Sequence, residues 1–89
     1  MLMAMTEVQR KLLDVLADLK GTLRDQDRAE ASEATRAGEP GVALEVVCQQ
    51  LFEYDARVPR RTYAGIEAVG RAMNMPEQTW KILEPLVVE

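Results

Sequence analysis

Any chemistry in this chain would have to rest on carboxylates. Its 89 residues include 15 acids, no histidine, and a single cysteine, Cys48. A Ser-His-Asp or Cys-His relay cannot be built without an imidazole. The usual zinc and transition-metal ligand sets are equally out of reach. The sequence contains no glycine-rich phosphate loop and no EF-hand spacing. Two carboxylates alone can hydrolyse a glycosidic bond, but only across a cleft that holds the sugar between them. A chain of this length with 4% aromatic residues has little material for such a cleft. The residue types therefore point to binding, without catalysis, metal or cofactor. Cys48 has no partner for an internal disulfide and lies on an apolar stripe, so it reads as a small buried hydrophobe.

The elements that must position the remaining side chains are helical. Hydrophobic residues make up 47% of the chain, and with so few aromatics the core must be built from Leu, Val, Ala and Met. Long Val/Ile/Thr alternation is missing, which argues against a sheet. Thr6 and Gln9 have capping-box spacing, and Val8, Leu12, Leu16, Leu19 and Leu23 follow on one stripe. Leu13 and Val15 lie at its margins, and Gly21 marks its end. "RDQDRAEASEATRAGE" favours helix but offers only alanines for burial, so thin packing and mobility are expected there. Gly38 is placed to stop it.

Pro40 opens the most apolar helix, with Leu44, Val47, Cys48, Leu51, Phe52 and Tyr54 on one broad inward face. Val58-Pro59 breaks it, and Tyr63, Ile66, Val69 and Met73 then recur at helical spacing up to a left-handed stop at Asn74. A last short helix from Pro76 should turn Trp80, Leu83 and Val87 inward until Pro85 kinks or ends it. Trp80 and Tyr63 read as core anchors. The expectation is an all-α fold, a small four- to five-helix bundle. It forms a single helical domain over residues 1–89, with residues 1–5 frayed.

The 11 bases leave a net charge of −4, and the acidity is concentrated in the first half. Residues 1–55 carry 11 acids and 6 bases, whereas residues 56–89 carry 4 acids and 5 bases. Such a field repels nucleic acid and anionic membranes and suits a basic partner. Arg57, Arg60 and Arg61 make a patch too narrow for phosphate-backbone binding; they read as compensation for Glu53 and Asp55. The opening "MLMAMTEVQRK" is too short in apolar residues for a signal peptide, and no run reaches bilayer length. The cytoplasm is the expected compartment.

One stretch, "QQLFEYD" (residues 49–55), runs against helix electrostatics. Acids in a last turn meet the negative end of the helix dipole, a cost of about 0.5 kcal/mol each. Partner contact could explain why Glu53 and Asp55 stand there. Pairing with the arginines, or capping by Asp55, would explain it structurally. By helical angle Asp55 points towards the core and Tyr54 lies on the inward margin, its hydroxyl in water. Val42, Glu45, Val46, Gln49 and Glu53 face outward together, a mixed acidic and apolar surface suited to a partner.

The stretch "GEPGVALEVVCQQLFEYD" resembles the central signature of small bacterial immunity proteins of the MafI type. The matching residues are Gly38, Glu39, Gly41, Ala43, Leu44, Glu45, Leu51, Glu53, Tyr54 and Asp55. Pro59, Tyr63, Ile66 and Met73 continue the likeness, which covers roughly residues 36–83; Arg60 and Arg61 depart from it, standing where that family is more acidic or neutral. The resemblance implies an all-helical protein that occludes the C-terminal domain of a cognate polymorphic or contact-dependent toxin, commonly a nuclease. It adds Tyr54 and Asp55 to the candidate contact residues. The other expectation is a non-catalytic adaptor or regulatory module. In either case the chain is expected to be a monomer or a weak homodimer, the latter burying Val42 and Val46.

Overall fold

Helix α1 (Glu7–Asp18) opens with the expected capping box. The Gln9 backbone N–H donates to Thr6 Oγ1 at 3.1 Å, and the Thr6 N–H donates to Gln9 Oε1 at 2.6 Å. The computed structural model describes residues 4–89; of the fraying expected at residues 1–5, positions 1–3 lie outside the described residues. Leu12, Val15 and Leu16 turn into the core, joined past the helix end by Leu19 and Leu23. Gly21, at φ 85°, supplies the left-handed turn that brings the Leu23 N–H back to the Leu19 carbonyl at 2.9 Å.

Helix α2 (Asp25–Arg36) buries only Ala31 and Thr35, as thin an inner face as its composition implied. Thr35 solves its own polarity: its hydroxyl donates to the Ala31 carbonyl at 2.7 Å, and its carbonyl accepts from Gln9 Nε2 at 2.9 Å. Gln9 therefore caps α1 and ties it to α2 with one side chain. Gly38, at φ 90°, then ends the helix in a Schellman turn: the Glu39 N–H donates to the Ala34 carbonyl and the Gly38 N–H to that of Thr35.

Helix α3 (Pro40–Glu53) starts at Pro40, where a missing N–H is harmless. It contributes Ala43, Leu44, Val47, Cys48 and Leu51 to the core. Helix α4 (Arg60–Ala72) packs against α1, where Gly65 lies close beside Val15, and it contributes Thr62, Ile66, Val69 and Gly70. Asn74, at φ 55°, ends α4 in a second Schellman turn, as its residue type foretold.

Helix α5 (Gln78–Lys81) is a single turn that carries Trp80 into the core. The indole lies on Gly70, where a Cβ atom would come within 2.3 Å of the ring; no other residue fits there without displacing it. Tyr63, expected as a second anchor, is only half-buried, and its hydroxyl donates to Glu84 at 3.4 Å.

The all-α expectation holds, with a five-helix arrangement, but the C-terminus differs from the anticipated helix. Pro85 does end the helical run, in a 3-10 turn (Glu84–Leu86). Val87 then enters an extended strand, β2 (Val87–Val88), parallel to β1 (Val58–Pro59). Pro59 favours the extended backbone of β1, since the residue before a proline is held out of the helical region. Within the pair Val58 is fully buried, whereas Val87 is only half-buried.

Candidate interaction face

Helical spacing divides α3 cleanly. Ala43, Leu44, Val47, Cys48 and Leu51 occupy the inner arc, and Val42, Glu45, Val46, Gln49 and Glu53 occupy the outer one, all five exposed. Val42 is 53% exposed and Val46 38%. Burial pushes the Cys48 thiol from an ordinary 9.0 up to about 12, so it is held as an unreactive thiol within the core.

Phe52 corrects the sequence reading. Expected inward, it is 53% exposed. At about 100° per residue it stands roughly a quarter-turn beyond Leu51, past the edge of the buried arc, about one turn along the helix from Gln49 and about two turns, on the same side, from Glu45. Val42, Val46 and Phe52 are the large hydrophobic side chains that stand exposed among the described residues, and all three belong to α3.

Asp55 is also corrected. It neither points to the core nor caps the following helix: it is exposed, with φ 53°. Its role is conformational. The Ala56 N–H donates to the Leu51 carbonyl at 3.0 Å and the Asp55 N–H to that of Phe52 at 3.1 Å, a Schellman turn with aspartate where glycine is commonest. A short polar side chain tolerates that left-handed conformation better than most.

Tyr54 is half-buried as expected, but its hydroxyl is not left to water. It donates to the Asp27 carboxylate across the α2–α3 interface, and the Arg24 guanidinium stacks 4.3 Å from the ring centroid. The hydrogen bond to Asp27 is the main reason the phenol ionises above its usual range; desolvation adds to this and Arg24 opposes it. Tyr54 thus joins α2 to α3 rather than lying on the outer face.

The arginines do not neutralise Glu53 or Asp55. Arg60 reaches Glu89 through Nε at 3.1 Å and Nη2 at 2.8 Å, and Arg61 lies 3.8 Å from Asp18. Among the described residues, no ion pair involves any residue from 29 to 59. That segment carries six acids against two bases, a net of −4. The outer face of α3 is therefore apolar at Val42, Val46 and Phe52 and negative at Glu45 and Glu53.

A groove of about 340 Å³ borders this face. Glu45 and Gln49 form its α3 side; Pro76, Gln78, Thr79 and Ile82 form the other. The contribution from Pro76 to Ile82 was not read from the sequence, because only the tertiary fold sets α5 beside α3. The outward position of Phe52 could have been found, since its helical angle already marks it.

Among the described residues, no three His, Cys, Asp or Glu side chains gather in a way that would hold a metal ion, and no helix is long and apolar enough to cross a membrane. Comparison with protein-family models, with characterised proteins and with solved structures returned no match.

Proposed function

We propose that this chain is an immunity protein: it binds a cognate toxin domain stoichiometrically in the cytoplasm and blocks it without catalysis. The observation that carries this reading is the outer face of α3, where the exposed Val42, Val46 and Phe52 are interleaved with Glu45 and Glu53, which form no ion pair among the described residues. A protein gains nothing for its own stability by holding large apolar groups in water, whereas an interface core needs them. The local negative field suits a basic nuclease surface, for which electrostatic steering speeds encounter. The resemblance of residues 36–83 to MafI-type proteins points the same way.

The test is growth rescue. The C-terminal toxin domain encoded beside this gene is expressed with and without the chain, and the pair is purified together. Survival with a stoichiometric complex supports immunity. A chain that neither rescues nor binds would turn the reading towards an adaptor or regulatory module. A tight dimer in sedimentation, lost on Val42→Glu or Val46→Glu, would instead favour self-association.

A further inference from the structure

We infer that the partner seats a lysine or arginine side chain in the groove between α3 and α5, beside Phe52 as the apolar anchor of the same contact. This inference rests on the binding role proposed above.

The groove has two chemistries. Pro76 and Ile82 offer aliphatic surface, while Glu45 supplies a carboxylate and Gln49, Gln78 and Thr79 supply further oxygen acceptors. A long cationic side chain is built to that pattern, with an apolar stem and a charged tip that seeks water or an acid. At about 340 Å³ the groove is at the small end of ligand sites, which span roughly 300–1,000 Å³. It suits one side chain better than an extended ligand.

The chain's own bases on this side are engaged elsewhere. Lys81 lies 3.6 Å from Glu77, and Arg71 bridges Glu67 at 2.8 Å and Glu77 at 2.9 Å. Glu45 has no ion-pair partner among the described residues, so an incoming cation displaces nothing. An anion would meet Glu45, and a purely apolar ligand would desolvate that carboxylate without pairing it. A second copy docked by its own α3 would bring Glu45 and Glu53 against their counterparts. Charge thus selects a basic protein surface.

Phe52 supplies the second half of the contact. Phe52, 53% exposed and about one turn beyond Gln49 on the same side of α3, can be covered by the same partner segment. Interfaces concentrate their energy in central aromatic anchors surrounded by polar groups.

The test uses the full chain, labelled with nitrogen-15. It is titrated with the capped peptide acetyl-Gly-Arg-Leu-Arg-Gly-amide and with its citrulline counterpart, which keeps the shape and removes the charge. The arginine peptide should shift the amides of Glu45, Gln49, Gln78 and Thr79. Its binding should weaken about two- to fivefold in Glu45→Gln or with citrulline, the range of an exposed ion pair. Against the toxin domain, Phe52→Ala should weaken the complex at least about 30-fold, as loss of a central anchor does. Both substitutions are on the surface, and circular dichroism of each variant checks that it is folded.

Shifts elsewhere, or equal binding of both peptides, overturn the inference. A toxin complex indifferent to Glu45→Gln and Phe52→Ala also overturns it while leaving immunity standing. Groove shifts lost in Glu45→Gln, but without any toxin complex, support the cation site and sink the immunity reading. Concentration-dependent shifts of this face without peptide would assign it to a second copy and overturn the inference.

Discussion

Around α4 and α5, charge is closed up: Arg71 bridges Glu67 and Glu77, Lys81 joins Glu77, Arg60 holds Glu89, and Arg61 approaches Asp18. From residue 29 to residue 59, across most of α2 and all of α3, six acids stand against two bases with no ion pair among the described residues. The hydrophobic side chains show the same contrast. α5 sinks Trp80 onto Gly70, whereas α3 leaves Val42, Val46 and Phe52 in water. One region spends its side chains on internal complementarity and the other keeps part of its surface uncommitted. The acids of α3 are therefore available to an outside partner without loss to the fold.

Truncating the inner face of α3 should give the largest effect. Leu44 is fully buried, so Leu44→Ala should lower stability by about 2–5 kcal/mol in urea unfolding. Gly70→Ala tests the closed region: the added methyl meets the Trp80 ring, and a loss of about 1–3 kcal/mol is expected, with a changed tryptophan emission. Asp55→Gly should act in the opposite direction and raise stability by up to about 1 kcal/mol, because glycine adopts the left-handed turn without a Cβ penalty. If Asp55 instead served the fold through its carboxylate, stability would fall. Glu45→Gln and Glu53→Gln should change unfolding by no more than about 0.5 kcal/mol, as exposed residues with no ion pair among the described residues do. A larger loss would break the contrast between the two regions.

The smallest effect is in pH dependence. The hydrogen bond from Arg71, with help from Lys81, holds the Glu77 carboxyl below its ordinary 4.5. A lowered pKa stabilises the fold above the unfolded value, and that contribution disappears as pH falls through the folded one. Glu77→Gln should therefore flatten the stability profile only below about pH 4.5. Molar salt should erase the difference, since the pair is exposed.

Much of this architecture was legible because it is local. The Thr6–Gln9 box, the stops at Gly38 and Asn74, and the outward set Val42, Glu45, Val46, Gln49 and Glu53 all follow from spacing within one or two turns. What escaped depends on distant partners. Nothing near Tyr54 in sequence points to Asp27 or Arg24, and nothing near Val87 points to Val58. Asp55 differs for another reason: its helical angle points to the core only if α3 continues, whereas the backbone has already turned left-handed there. The residue type of Phe52 suggests burial, whereas its helical angle places it at the rim. The face itself, with Phe52 at its rim by helical angle, could thus be read, while the α5 wall of the groove could not.

The short parallel ladder also bears on the order of assembly. α2 and α3 meet across a turn of a few residues, so their docking closes almost no loop. β1 and β2 can align only after the chain from Arg60 to Leu86 has folded back alongside them, and parallel partners always need such a crossover. Two residue pairs, one containing a proline that cannot donate, give that alignment little to hold on its own. Folding is expected to proceed outward from the helical hairpins and to finish at Val87–Val88. Opening should begin at the same place, uncovering Val58 before the α3 face loses its shape.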